Sequence, residues 1–226
     1  MTRPLALLRP EPGWSASAAA AREAGLEAIG HPLFAGEPIG WQPPAGDFDG
    51  LLVGSAAVFR HGGPQLAGLR TLPVQAVGES TARAARAAGF DVERIGVGGL
   101  QTLLDASAGQ TRRFLRLAGE ERVALTPRPG QSVSECAVYR MVARPIEPLF
   151  AAALSERRPL VLLHSAAAAR QFAREVDRLA IGRGALPLLA LGPRVATAAG
   201  PSWEALHLAE SPSDAALLAK AAALCK

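Results

Sequence analysis

The chain has 226 residues, 49 % hydrophobic and 19 % charged, which leaves room for one or two globular domains and excludes a disordered chain. The net charge is +4 and 22 of the 24 basic residues are arginine, but the charge is spread evenly and no basic run alternates with aromatics. That pattern argues against nucleic acid as a partner and leaves an anionic small molecule, which arginine's planar fork suits.

No apolar run is long enough to span a bilayer, and "MTRPLALLRPEPGW" does not read as a signal peptide, so no membrane partner and a cytoplasmic location are expected. Cys136 and Cys225 are far apart, and His31, His61, His164 and His207 are scattered. Neither set has metal-ligand spacing, so no metal is expected.

"PLALL" reads as a short strand, followed by a Pro10–Gly13 turn. Ser15 or Ser17 is placed to cap a helix that Gly25 stops, and "LEAIGHPLF" reads as the next strand. "AGEPIGWQPPAGD" reads as loop or linker. "FDGLLVGSAAVFR" gives a strand ending near Val53, a Gly-Ser turn and a helix start. "LPVQAVGESTARAARAAGF" gives a strand, a Gly-Glu-Ser-Thr turn and a helix. Strands follow at "DVERIG" and "RRFLRLAG", separated by a helix at "GLQTLLDAS". "SECAVYRMVARPIEP" is extended, "EPLFAAALSERR" helical, and "PLVLLHSAAAARQF" again strand, serine, helix. "LPLLALGPRVATAAG" and "EALHLA" add two strands around a helix, and Ser211 or Ser213 caps the last helix, with Pro212 in its first turn. Short strands, apolar on both faces and alternating with helices, indicate a parallel α/β fold.

The chain repeats itself. "GLLVGSAAVFR" corresponds to "LVLLHSAAAAR", and Ser55 precedes Gly78 by 23 residues as Ser165 precedes Gly192 by 27. Two similar α/β domains follow from that order. The first β-α-β unit has no counterpart before the second copy, so it is expected to join it. The domains are then 1–34 with 148–226, and 45–139, connected by linkers 35–44 and 140–147 that could pair as a short ladder.

Ligands of open α/β sheets bind beyond the carboxyl ends of the strands, where helix N-termini favour anions. Those ends fall at Arg9, Ser55–Ala56, Gly78–Thr81, Ala118–Gly119, Ser165–Ala166 and Gly192–Arg194. Each serine or threonine has an ordinary alternative as a helix cap. Tyr139, the only tyrosine, is either a half-buried linker aromatic or a proton donor. No dinucleotide, phosphate-loop, serine-elbow or zinc motif is present.

Taken in order, "LLRPEPG", "EAIGHPLF", "FDGLLVGSAAVF", "AVGESTARAARAAGF", "RLAGEERV", "VYRMVA", "LVLLHSAAAARQF", "LALGPRVATAA" and "LAESPSDAALLAKA" resemble the uroporphyrinogen-III synthase family over nearly the full length. The resemblance implies two flavodoxin-like parallel-sheet domains joined by a two-stranded β linker, with the first β-α-β unit in the C-terminal domain. It implies a cofactor-free lyase of tetrapyrrole biosynthesis. Such an enzyme closes hydroxymethylbilane to uroporphyrinogen III, with inversion of ring D and loss of water, most simply as a monomer. It implies Tyr139 as the catalytic group. Substrate contacts are expected from Arg9, Ser55, Ala56, Ser80, Thr81, Gly119, Ser165, Ala166 and Arg194. The chain departs from the family at Gly54 and Leu8, where many members have threonine. It departs again at "EERVALTPRPGQSVSECAV", where the family usually has a helix. A non-catalytic two-domain binding protein for an anionic small molecule is the alternative.

Overall fold

The structure, a computed structural model, describes residues 3–225. Met1, Thr2 and Lys226, the outermost positions of the expected first domain, lie outside the described residues. The chain divides into two units, Met1–Ala35 with Ala143–Lys226, and Gly36–Val142.

In chain order, the first unit begins with β1 (Leu5–Leu7), α1 (Gly13–Glu23) and β2 (Ala28–Ile29), and β3 (Phe34–Pro38) runs into the second unit. The second unit contains β4 (Gly50–Val53), α2 (Ala57–His61), β5 (Val74–Val77), α3 (Gly78–Ala87), β6 (Val92–Gly96), α4 (Leu100–Asp105), β7 (Arg112–Gly119) and β8 (Gln131–Ala143). The chain then returns to the first unit with α5 (Pro148–Arg157), β9 (Leu160–Leu163), α6 (Ala166–Arg178), β10 (Pro187–Ala190), α7 (Pro193–Ala199), β11 (Ala205–Leu208) and α8 (Asp214–Leu224).

The first unit's sheet has the order β2-β1-β9-β10-β11, with every pair parallel. Numbered from β1, that is 2-1-3-4-5, the flavodoxin-like doubly wound order. The second unit's sheet has the order β3-β8-β7-β4-β5-β6. From β8 to β6 it is the same arrangement, with β7 and β8 in the places of β1 and β2. β3 adds an edge strand beside β8.

The central strands β1, β4, β9 and β10 are buried at every residue. Their near-continuous apolar runs are what two covered faces require. In the first unit one face packs Leu8, Val161, Phe172 and Leu188, and the other packs Leu5, Leu7, Leu162 and Leu217 under α1 and α8. In the second unit one face is large, with Trp41, Leu51, Val58, Leu115 and Tyr139. The other is a small cluster of Leu52, Leu100, Leu103, Leu104 and Phe114.

Several local expectations are corrected. α1 begins at Gly13 after Pro12, so neither Ser15 nor Ser17 is its cap, and Ser17 is fully buried inside it. The strand expected over 26–34 is cut to Ala28–Ile29 because Gly30 takes a positive φ of 99°. β3 takes up the start of the expected linker 35–44 and lies beside β8, an arrangement the expected ladder allowed. Gly78 already opens α3, so Ser80 and Thr81 are helical rather than a turn. Ser213 caps α8 by accepting from the Ala216 amide, which puts Pro212 before the cap.

Candidate functional site

In each sheet the chain order reverses at one gap, β1/β9 in the first unit and β7/β4 in the second, and such switch points hold the ligand in this architecture.

In the second unit a cavity of about 270 Å³ lies at that gap, lined by Gly54 and Ser55 after β4, Ala118 and Gly119 at the end of β7, and Tyr139. Local backbone geometry brings the tyrosine there. Ala118 pairs with Ala137 but Gly119 pairs with Tyr139, so β8 carries one extra residue at this point. A bulge of this kind re-aims a side chain, and the neighbours Val138 and Tyr139 are consequently both buried against one core. Gly119 makes the space: a Cβ there would lie 3.0 Å from Tyr139 Cζ and 3.2 Å from its Oη. The ring also faces His61 at 5.7 Å between centroids. Burial first, and the neighbouring Arg60 charge second, hold His61 below the ordinary imidazole pKa.

The other expected contacts of this unit differ in their surroundings. The Ser55 hydroxyl accepts from the Ala57 amide at 3.2 Å, and Ala56 precedes α2 as its cap residue. Ser80 is exposed on α3, whereas Thr81 is 4 % exposed and packed inward.

In the first unit Ser165 caps α6, accepting from the Ala168 amide at 3.1 Å. With Ala166, Arg170, Arg194 and Thr197 it lines a cavity of about 620 Å³. Neither Arg170 nor Arg194 has an acidic partner among the described residues, and no acid lines that cavity. Arg170 follows Ala166 by four residues, one helical turn, and this spacing was the signal for it. Arg194 also borders a cavity of about 250 Å³ with His164, Ser165 and Pro212.

Arg9 lies at the switch point but is engaged internally. Its Nη1 donates to Ser17 Oγ at 2.9 Å and pairs with Asp214 Oδ1 at 3.0 Å. Ser17 Oγ donates to Asp214 Oδ2 at 2.8 Å, and His164 Nε2 is 2.8 Å from Asp214 Oδ1. An ionised carboxylate only accepts, so His164 is the Nε2–H donor. Burial raises the Asp214 pKa, but the hydrogen bonds from His164 and Ser17 and the Arg9 charge outweigh it and leave it below the usual carboxylate value. Burial pushes His164 below its ordinary value, against the opposing hydrogen bond to Asp214. Asp214, Arg116 and Arg170 are not among the site residues expected from the sequence, and His61 and His164 are read there only as scattered histidines. Among the described residues no group of three or more His, Cys, Asp or Glu is placed to hold a metal. No helix among them is long and apolar enough to cross a membrane.

A family model described as "Uroporphyrinogen-III synthase HemD" matches residues 15–219. The chain belongs to the uroporphyrinogen-III synthase family. Family membership makes it a lyase of tetrapyrrole and haem biosynthesis. Its fold is similar to that of the uroporphyrinogen-III synthetase from Helicobacter pylori, at 16 % identity over 98 % of this chain and 99 % of that one, with a TM-score of 0.65. The uroporphyrinogen III synthase of Thermus thermophilus also matches, at 19 % identity over 97 % of both chains and a TM-score of 0.43. No curated protein matches the sequence.

Proposed function

We propose that this synthase-family chain converts hydroxymethylbilane into uroporphyrinogen III, inverting ring D and releasing water. The reading rests on the family match across residues 15–219. The bilane's hydroxymethyl C–O bond breaks with help from the pyrrole nitrogen, and the hydroxyl leaves with a proton as water. The azafulvene so formed is electrophilic, and an electron-rich pyrrole of the same molecule attacks it. Leaving group, electrophile and nucleophile all belong to the substrate, and no net oxidation occurs. The reaction therefore proceeds without metal or organic cofactor. What the protein must supply is geometry, holding the chain so that the substituted carbon of ring D attacks; the spiro adduct then breaks that carbon's bond to the bridge from ring C, and the bridge re-bonds to the free α-carbon of ring D, which loses its proton.

Tyr139 is the proton donor to the departing hydroxyl: its Oη stands over Gly119 and makes no hydrogen bond to any described residue. Arg194 is the arginine that meets a substrate carboxylate, joined by Arg170. Ser55, Ala56, Gly119, Ser165 and Ala166 present the strand-end backbone, and Ser80 extends the surface at α3. Arg9 holds Asp214 in the first unit, and Thr81 packs into the core of the second. The enzyme acts as a cytoplasmic monomer of domains 1–34 with 148–226 and 45–139. Incubation with hydroxymethylbilane, followed by separation of the uroporphyrin isomers, tests the reading.

A further inference from the structure

The two sheets can be compared residue by residue, and one position breaks the correspondence. Leu52 stands three residues before Ser55, as Leu162 stands three before Ser165. Leu162 pairs with Leu7 of β1, which is fully buried beneath α1 and α8. Leu52 pairs with Arg116 of β7. A guanidinium occupies the place of a core leucine, and it is only 5 % exposed. The helix that follows β1 also has no counterpart here: β1 is followed by α1, whereas β7 is followed by an irregular run over 120–130.

A buried guanidinium is costly unless all its donors are used, and these are not. Arg116 Nη1 donates to Val123 O at 2.7 Å and to Glu135 Oε1 at 2.8 Å. Nε is buried with no acceptor. Glu135 is shared, since Arg122 Nε donates to its other oxygen at 2.7 Å. Glu135 is thus divided between two guanidiniums, and the other acid near them, Glu121, lines the Tyr139 cavity. Arg116 is also a common wall. On one side is the Tyr139 cavity; on the other is a cavity of about 350 Å³, lined by Gly54, Val77, Gly98, Leu100, Gln101 and Leu125 among others, with no acidic residue. Gln101 pins the roof of that second cavity, accepting from the Thr126 amide at 2.9 Å and donating to the Thr126 carbonyl at 3.0 Å.

We propose that this second cavity is a carboxylate subsite, in which Arg116 binds one short acidic arm of a pyrrole ring while the apolar walls take its methylenes. This rests on the reading of the chain as a synthase of an eight-carboxylate tetrapyrrole. It adds a named subsite and a named arginine beside Tyr139. Nε and the unbonded edge of the guanidinium are the donors the carboxylate takes.

The test compares wild type, Arg116→Leu and Arg116→Lys. Leucine is what the equivalent position of the first unit carries, so the fold should tolerate it. The probe is uroporphyrin III, a stable octacarboxylate, titrated against tryptophan fluorescence, with KM and kcat for hydroxymethylbilane measured in parallel. Arg116→Leu should weaken probe binding and raise KM by roughly tenfold or more, with kcat changed much less, and lysine should recover part of the loss. Equal affinity and KM in a folded Arg116→Leu protein would overturn the subsite even if wild type makes the type III isomer. Arg116-dependent probe binding in a protein that makes no type III isomer would keep the subsite and remove the synthase reading. Should the leucine variant fail to fold, the lysine variant decides: a loss of roughly threefold or more in probe affinity supports the subsite, and no loss refutes it.

Discussion

Tyr139 reaches its cavity through two residues that do no chemistry themselves. The extra residue in β8 sets it opposite Gly119, and the missing side chain of Gly119 lets the ring lie across the end of β7. If its hydroxyl protonates the leaving group, Tyr139→Phe slows turnover by roughly ten- to a hundredfold with KM little changed, since the ring and its packing remain. Wild-type rates in steady-state assays would remove Tyr139 from the mechanism. Gly119→Ala tests its position rather than its chemistry. The new methyl would meet Cζ at 3.0 Å, so the ring must shift. A displacement of a few tenths of an ångström misaligns the hydroxyl, and kcat should fall by roughly tenfold while the melting temperature stays close to wild type. An alanine variant as active as wild type would show that the ring position is not limiting.

At the scale of elements, the Arg9–Ser17–Asp214–His164 network ties β1, α1, α8 and the end of β9 together within the first unit. Its titration has a definite sign. His164 is held below its ordinary pKa, so the folded state disfavours the proton that the unfolded chain accepts below roughly pH 6.5. The neutral imidazole's contribution is complete above that pH and is lost as the pH falls toward the folded value. Asp214, also held low, adds a loss at still more acid pH. The melting temperature should therefore drop between about pH 7 and pH 5, and His164→Gln should flatten that drop. His61, shifted in the same direction, will leave part of it in place. Parallel wild-type and variant curves would contradict the assignment.

These elements also show what the sequence makes legible. The strand–serine–helix phrase reveals the α/β class and the duplication, because buried parallel strands are locally apolar and a Ser165 cap is a local event. The network is not legible: Ser17 and Asp214 are 197 residues apart and each has a routine reading, one as a candidate helix cap and the other as a first-turn acid. Arg116 is hidden for the same kind of reason. "RRFLRLAG" carries three arginines and looks half solvated, and only the register against Leu52 shows that the third is buried. The bulge at Tyr139 leaves no mark in composition, since it depends on pairing.

For the whole molecule, the two sheets share one strand order reached by different routes. The second unit is built from a continuous run of chain, while the first takes β1 and β2 from before that run and β9, β10 and β11 from after it. Both copies of the repeated phrase therefore place their serine and glycine turns at the carboxyl edge of a third and fourth strand. This duplicated edge, lined by arginines and strand-end backbone, suits a reaction in which the substrate carries the chemistry and the protein sets the geometry. The isomer composition of the product tests that claim most directly. Purified protein given freshly generated hydroxymethylbilane, with the products oxidised and separated, should yield mainly uroporphyrin III, faster than the spontaneous closure. Uroporphyrin I alone, formed at the rate seen without protein, would contradict it.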